Sequence, residues 1–267
     1  MSNLLRVELY KLIRNKIYWV LVTVLSGLAF LLVLLAYLDQ RGVLDHVEQI
    51  SVEFSEDVLL FTGISMMIDS IHSPDLFLSV LMISIFGAFF ISTEYSNGTI
   101  KNLVASGYHR WQIYLAKMIV FSIGSIFLVF FMAFILGTFG AIFFEIGEWP
   151  SSEIMVKTGK MIVVSMLLLL GFSSIVMLFA MMARGSGVSI LLSLGFYFLA
   201  GAGLRMIGYK YTIGETLNTY SVYYRYSTLP KNSLDISNIV ELSLIAVITS
   251  VVFIVIGAFI FQRKDIS

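Results

Sequence analysis

The sequence predicts an all-α polytopic membrane protein with six transmembrane helices, and its composition is the first reason. Of its 267 residues, 58% are hydrophobic and 13% are charged, against roughly 25% charged residues in soluble domains. A soluble domain of this length would need more charge to cover its surface. A surface in contact with lipid is instead favourably apolar. The composition therefore favours a chain that lies mostly within a bilayer.

The second reason is a series of apolar runs that contain no Asp, Glu, Lys or Arg. Each run is close to the length that spans about 30 Å of hydrocarbon at about 1.5 Å per residue. The predicted spans are about 17–38, 76–93, 118–144, 161–183, 187–204 and 242–262. The first run ends without a small-residue cleavage site, so we expect a retained anchor rather than a cleaved signal peptide.

The distribution of Lys and Arg predicts that both termini are cytoplasmic. With the N-terminus inside, ten of the seventeen cations and only three of the seventeen acids fall on the inner side. The first span has the clearest flanks, because only Arg41 accompanies the acids Asp39 and Asp45 beyond its end. The cations before that span are Arg6, Lys11, Arg14 and Lys16. We therefore expect residues 1–267 to form a single transmembrane domain with both ends inside.

The N-terminal segment 3–16 has the pattern of an amphipathic helix. Its apolar face holds Leu5, Leu9, Leu12 and Ile13. The cations Arg6, Lys11 and Arg14 lie away from that face. This arrangement predicts an elbow helix on the inner leaflet, with its cations near anionic headgroups. The alternative is a simple positively charged flank of the first span.

The predicted inner loop 94–117 contains signals for a short helix. Asn97-Gly98 is typical of a turn, Asn97 or Thr99 can cap a new helix, and Ser106-Gly107 can end it. A helix there would present apolar side chains to the cytoplasm, where no local core would bury them. These side chains are Ile100, Leu103 and Val104. The pattern favours a docking site for a soluble partner, and the alternative is that these side chains lie back against the membrane.

Two long outer segments complete the predicted topology. Residues 39–75 form an acidic loop, in which 58–71 is apolar but too short to span, which predicts an interfacial or re-entrant helix. Residues 205–241 hold six Tyr and four cations, which indicates a segment folded back into the outer interface, and the alternative is an ordinary loop. In the third span, small residues recur at intervals of four, at Ala133, Gly137 and Ala141, and serve either internal packing or a dimer seam.

Several classes of function are disfavoured by what the spans lack. They contain no ionisable acid or base, whereas ion-coupled carriers usually keep such residues at mid-membrane. The chain has no Cys and only three widely separated His, so neither a thiolate site nor a multi-His metal site is expected. No metalloprotease or P-loop motif is present. We expect no catalytic residue, cofactor site or metal site, and the Ser residues of the spans are interpreted as packing residues.

The loop sequence, together with this topology, resembles that of the ABC type-2 permeases. These are the membrane subunits of exporters whose ATPase is a separate polypeptide. The resemblance rests on the pattern E-x-x-x-G-T-x-K, an N-terminal amphipathic helix, six spans and the C-terminal residues 261–266. The matching residues are Glu94, Gly98, Thr99, Lys101, Arg110 and Lys117.

The resemblance implies a role for each non-spanning segment. Segment 3–16 would be the elbow helix, with Arg6, Leu9, Lys11 and Arg14 as its characteristic residues. Residues 205–241 would hold outer re-entrant helices between the fifth and sixth spans. The loop would carry a coupling helix seated in a groove of the ATPase. Its residues would be Glu94, Gly98, Thr99, Ile100, Lys101, Asn102, Leu103, Val104 and Ala105.

The resemblance also implies an assembly and a substrate class. Two permeases, identical or related, would pair with two ATPases that bind ATP and Mg²⁺, in the plasma membrane of a bacterium. Short permeases of this kind resemble those of bacitracin resistance, lantibiotic self-immunity and phenol-soluble-modulin export, which implies export of amphipathic peptides. The acidic loop 39–75 is larger than in minimal permeases of that kind. The alternatives are an exporter of lipid or a small-molecule drug and a non-transporting structural or regulatory membrane protein. An ion-coupled carrier and a membrane-embedded enzyme are less favoured.

Overall fold

The computed structural model describes residues 1–41, 62–72, 75–183, 185–208, 212–229 and 235–263. Within these ranges the regular structure is helical and contains no strand. Most of the predicted acidic loop, Arg184 and residues 264–267 lie outside the described residues. Parts of the predicted outer segment 205–241 do so as well.

Most of the described residues belong to helices. In order they are α1 (Ser2–Arg14), α2 (Lys16–Gln40), α3 (Gly63–His72), α4 (Leu76–Ser96), α5 (Thr99–Ala105), α6 (Arg110–Phe143), α7 (Ser152–Met182), α8 (Ser186–Phe198), α9 (Leu204–Gly208), α10 (Thr212–Thr219), α11 (Val222–Ser227) and α12 (Ile236–Arg263). Five of the described helices are long and apolar enough to cross a membrane, namely α2, α4, α6, α7 and α12. The chain is therefore a polytopic helical membrane protein.

The fifth predicted span, 187–204, has a different form from the other five. It corresponds to α8, which has 13 residues and would cover only about 20 Å. A π-helical turn, Leu199–Gly203, follows directly and leads into α9. Gly201 and Gly203 lie in this turn, and glycine weakens regular α-helix. α8, the π-helical turn and α9 follow one another without a break, but no single regular α-helix among them is as long as the hydrocarbon layer, so the sixth crossing stays a prediction.

Side chains from the preceding turns fix the starts of three long helices. Asn15 accepts hydrogen bonds from the backbone N–H groups of Ile17 and Tyr18, at 2.9 and 3.3 Å, and so caps α2. Asp75 accepts one from Leu78 at 2.8 Å at the start of α4. Ser151 caps α7. Caps of this kind satisfy N–H groups that have no partner within the helix.

The long helices form a bundle in which enclosure differs strongly between members. In α7, 67% of the apolar stretch is buried inside the protein, whereas in α12 the fraction is 22%. α7 packs against α12, α6, α4 and α8. The open side of α12 is apolar, with Val251, Val255 and Phe259 exposed. A lipid-facing surface has this composition.

The short helix α3 crosses α6 at very close range. A Cβ atom added to Gly63 would lie 2.6 Å from the carbonyl oxygen of Gly137 and 2.7 Å from the Cβ of Ala141. One added to Gly140 would lie 2.8 Å from the Sδ of Met66. Two of the three small residues that recur at intervals of four in α6 thus serve packing within the chain. We call this contact the α3–α6 crossing.

Candidate functional site

The predicted loop helix is present as α5, between the end of α4 and the start of α6. Gly98 precedes it with a φ of +65°, and Gly107 follows it with a φ of +84°. Backbone with positive φ strains residues that carry a Cβ, so glycine suits both positions. The chain can therefore leave α4, form two turns of helix and enter α6 within a few residues. We call this end of the bundle the α5 end, and the opposite end, near Gly137, the α3 end.

The exposed face of α5 is polar, unlike the apolar face that the sequence predicted. Ile100 is 1% exposed and lies in the hydrophobic core. Leu103 and Val104 are half-buried against the same core. The prediction that Ile100 is exposed to the cytoplasm is wrong. The helices that adjoin α5 pack around this side chain, and the loop sequence by itself does not reveal that packing. The exposed residues of the helix are Lys101, Asn102 and Ala105.

Four charged side chains from three helices meet at the α5 end. Glu8 and Lys11 belong to α1, Glu94 to α4 and Lys117 to α6. The Nζ of Lys117 lies 2.9 Å from Oε2 of Glu8 and also forms an ion pair with Glu94. The Nζ of Lys11 lies 2.8 Å from Oε1 of Glu8 and 2.9 Å from Oε1 of Glu94. Each carboxylate therefore binds both ammonium groups, and we call these residues the four-charge cluster.

Burial makes the four-charge cluster energetically sensitive. Glu8 and Lys117 are 0% exposed and Glu94 is 7% exposed. An unpaired ion at such depth would cost several kcal/mol, whereas two acids and two bases leave no net charge. Burial lowers the pKa of Lys11, but the carboxylates of Glu94 and Glu8 outweigh this and hold that pKa above its ordinary value. Lys11 thus stays charged across physiological pH.

The four-charge cluster changes the interpretation of α1. The sequence placed Lys11 among cations that face lipid headgroups, but its ammonium group points to carboxylates inside the protein. The buried residues of α1 are Leu4, Glu8 and Leu12, spaced by four. Leu9 packs partly against the core. The exposed residues include Ile13, Arg6 and Arg14, so Ile13 does not belong to the buried face.

Glu8 is the functional candidate that the sequence analysis missed. Its one local signal is its place on the buried face, midway between Leu4 and Leu12. A charge on an apolar helix face indicates a partner elsewhere, but the sequence does not say where. The partner, Lys117, is 109 positions away in the chain.

Further contacts attach α12 to the same end of the bundle. Arg110, one of the residues in the loop motif, donates a hydrogen bond from Nη1 to the carbonyl oxygen of Gln262 at 2.9 Å. One turn further along α6, the ring of Tyr114 lies against Gly257 in α12, where no side chain could fit. The ends of α4, α6 and α12 are therefore joined next to α5, and the ion pairs of the four-charge cluster connect α1 to α4 and α6.

The arrangement is suited to holding helices together and passing on movement. Among the residues that the structure describes, no group of three or more His, Asp or Glu is placed to hold a metal ion.

None of the curated proteins compared matches the chain. The model of the family described as "ABC-2 family transporter protein" matches residues 2–266. That match spans the bundle, α5 and the four-charge cluster, and the chain therefore belongs to the ABC-2 family, whose members are the membrane permeases of ABC transporters.

Proposed function

We propose that this chain is a permease subunit that couples ATP hydrolysis by a separate ATPase subunit to export of amphipathic peptides. In this proposal α5 is the coupling helix, and two permease copies work with two ATPases that bind ATP and Mg²⁺. The observation that carries the proposal is the setting of α5. It is anchored by Ile100, joined to the bundle on both sides, and exposes Lys101, Asn102 and Ala105.

The charge of the α5 end supports a cytoplasmic location. Its described carboxylates, Glu8 and Glu94, are buried and paired with Lys11 and Lys117. Among the residues that the structure describes, the exposed charged side chains at this end are positive, namely Arg6, Arg14, Lys16, Lys101 and Arg263. Excess Lys and Arg near the ends of spans is typical of the cytoplasmic side. The ATPase would approach from that side.

A mechanism follows from the contacts around α5. ATP binding closes the ATPase dimer and pushes on the exposed face of α5. Ile100 carries the push into the core, and the turn at Gly98 carries it into α4. The four-charge cluster passes it from Glu94 to α6 and α1. A path between two permease copies then opens outward, and only the different affinity of ATP for the two ATPase states can drive this shift.

The test uses the exposed face of α5, because a charge at the buried Ile100 would disturb folding itself. We expect Lys101→Glu combined with Ala105→Glu to weaken binding of the ATPase that copurifies from native membranes by about tenfold or more, and to lower stimulated hydrolysis. The control is Lys160→Glu, a charge reversal at another exposed cation, on α7. Unchanged complex formation and unchanged stimulated hydrolysis in the double variant would contradict the coupling role.

The substrate class is tested separately on the reconstituted permease–ATPase complex. We expect amphipathic peptides to stimulate ATP hydrolysis more than lipids or small-molecule antibiotics in proteoliposomes. The support is the resemblance of the sequence to short peptide-exporting permeases, together with predicted charge-free runs that offer no Asp or Glu as an obvious site for a cationic drug. Stimulation by lipids or antibiotics alone would replace the peptide assignment and leave the coupling role intact.

A further inference from the structure

An open groove lies on the surface where α1 turns into α2. Its volume is about 400 Å³, and it is lined by Arg14, Lys16, Trp19, Val20, Thr23 and Val24. We call it the elbow groove. Its residues occupy the corner between the two helices and nearly two turns of α2 beyond it.

The shape of the elbow groove is fixed by hydrogen bonds across the corner. Asn15 caps α2, as described above. The indole Nε1 of Trp19 donates a hydrogen bond to the carbonyl oxygen of Ile13 at 2.6 Å, which holds the ring over the corner. The hydroxyl of Thr23 donates to the carbonyl oxygen of Trp19 at 2.9 Å. With its one hydroxyl already bonded, the wall along α2 is effectively apolar, because Trp19, Val20 and Val24 expose their side chains.

The corner end of the elbow groove carries two positive charges, on Arg14 and Lys16. Among the described residues, no carboxylate lies within ion-pair distance of Arg14 or Lys16. The guanidinium of Arg14 lies over the ring of Tyr10, 5.2 Å from its centroid, and donates a hydrogen bond to the Tyr10 hydroxyl. This contact positions Arg14 without neutralising it. The nearby Lys11, in contrast, is paired with two acids.

We propose that the elbow groove binds an anionic phospholipid. The phosphate would lie between Arg14 and Lys16, and an acyl chain would follow Trp19, Val20 and Val24 along α2. Charge complementarity favours this occupant, since a basic pocket beside a span suits acidic headgroups. Trp is typical of the headgroup level, where its ring meets the chains and its N–H meets polar groups. A free phosphate would use the two cations but not the apolar wall.

A second groove provides a comparison within the same chain. It also has a volume of about 400 Å³ and is lined by Met182, Phe259, Ile260 and Arg263. It is also mostly apolar but has one cation instead of two, and Arg263 lies over the Phe259 ring, 4.1 Å from its centroid. The elbow groove combines a pair of cations with an apolar wall, so it is the site to which we assign a preference for acidic lipid.

The experiment follows quenching of Trp19 fluorescence by brominated lipids. The full chain has three Trp residues, so Trp111→Phe and Trp149→Phe, both at exposed positions, leave Trp19 as the one reporter. The purified protein in detergent is titrated with brominated phosphatidylglycerol, brominated phosphatidylcholine or inorganic phosphate. We expect phosphatidylglycerol to bind about tenfold more tightly than phosphatidylcholine. Inorganic phosphate at millimolar concentration should not displace it.

Two variants separate the elbow groove from general surface charge. Arg14→Gln with Lys16→Gln should reduce the preference for phosphatidylglycerol to about twofold or less. Arg41→Gln with Lys160→Gln removes the same total charge from exposed positions outside both grooves and should keep the preference. Native mass spectrometry of the unsubstituted chain gives a second readout, in which we expect one phosphatidylglycerol molecule to stay bound to the protein.

Three outcomes would overturn the proposal. These are equal quenching by the two lipids, an unchanged preference after Arg14→Gln with Lys16→Gln, and displacement of the lipid by phosphate, which would mark a free-anion site. The measurement contains no ATPase, so its result is independent of the coupling role proposed for α5.

Discussion

The two ends of the bundle join their helices by opposite means. At the α5 end, α1, α4 and α6 are held by the four-charge cluster, in which Lys11 and Lys117 each pair with both Glu8 and Glu94. At the α3 end, α3 meets α6 through glycine, with backbone and small side chains in contact. The four-charge cluster is destabilised when one of its charges loses its partner. The α3–α6 crossing is destabilised when a larger side chain replaces one of its glycines. Both include α6, whose 34 residues span about 50 Å.

This difference between the two ends indicates at which end a displacement of one helix passes more easily to the others. Ion pairs are directional and join three helices through four groups, so displacing one carboxylate affects every member. The α3–α6 crossing depends on close shape complementarity, which holds two elements in one position. We therefore expect the α5 end to pass on displacement, and the α3 end to hold α3 against α6 while this happens. The predictions below test the two joints, from the largest expected effect to the smallest.

The largest effect is expected from Lys117→Met. The substitution leaves Glu8 and Glu94 buried with only Lys11 as a partner, and breaking a buried ion pair in this way costs about 3–5 kcal/mol. Thermal unfolding in detergent, followed by fluorescence-detected size exclusion, should show a large fall in Tm. The control is Glu241→Gln, which removes the 42% exposed partner of the Arg225–Glu241 pair and leaves the hydrogen bond from Arg225 to Thr219, so about 1 kcal/mol or less is expected. Equal losses would show that burial of the four-charge cluster has no special effect.

A smaller effect is expected at the α3–α6 crossing, from Gly137→Ala. The new Cβ would lie 2.8 Å from the Cβ of Met67 and 3.0 Å from the carbonyl oxygen of Gly63, so the helices must separate. Overpacking of this kind costs about 1–3 kcal/mol. Hydrogen exchange should become faster in α3 and stay unchanged at the α5 end. Gly27→Ala is the matched control, because nothing lies within 4 Å of its added Cβ.

The double variant Glu8→Gln with Lys117→Met sharpens the interpretation of the charged joint. It removes one acid and one base and leaves the neutral pair Lys11–Glu94. We expect it to recover most of the stability that Lys117→Met loses, since contacting charges show non-additive effects of about 0.5–3 kcal/mol. Comparison of the Tm values of both single variants and the double variant measures this. Additive losses would indicate that the residues act separately.

The same double variant separates stability from coupling. It no longer has the direct tie between α1 and α6, so we expect it to bind the ATPase normally and to show reduced stimulated hydrolysis. Glu241→Gln again serves as the control, on an ion pair that lies outside the four-charge cluster. Full stimulation in a stable double variant would show that the four-charge cluster serves folding and not transmission.

The smallest effect concerns pH at the α3 end. His72 shares a hydrogen bond of 2.9 Å with the hydroxyl of Thr158, and burial together with the nearby charge of Lys157 lowers its pKa below the ordinary value of 6.5. The folded state therefore favours neutral His72, and its contribution is complete above about pH 6.5 and is lost as the pH falls further, through the lowered pKa. After division by the intrinsic exchange rate at each pH, the protection of α3 amides against hydrogen exchange should fall between pH 7.5 and pH 5. In His72→Gln the pH dependence should largely disappear, and an unchanged dependence would assign it to another group.

The long helices were predictable because charge-free runs mark the parts that can enter lipid. The predicted span 118–144 nevertheless starts eight residues later than α6, which begins at Arg110. The prediction stopped at Lys117, which is buried here because two carboxylates neutralise it. Likewise, α12 begins at Ile236, before Glu241, whose charge is paired with Arg225. A rule that counts charges cannot recognise charges that pair across helices.

The candidate site was predictable where local backbone chemistry decides the structure. Gly98 and Gly107 enclose α5 at the positions that the turn signals indicated. Burial of Ile100 was not predictable, since it depends on how the adjoining helices pack. The role of Glu8 was hidden for the same reason, because its partners come from α4 and α6. The peptide substrate and the outer re-entrant segment remain predictions, and they rest on resemblance more than on local chemistry.

The separation between Glu8 and Lys117 has a consequence for biogenesis. Glu8 is synthesised 109 residues before the ammonium group that neutralises it inside the protein. Until α6 has left the ribosome, the carboxylate of Glu8 has Lys11 as its nearest partner and is most stable in water. The first helix of the chain should therefore be among the later ones to dock, after the translocon has received α2, α4 and the start of α6. Ribosome-bound chains that end before Lys117 should leave α1 open to protease, and chains that extend past α6 should protect it.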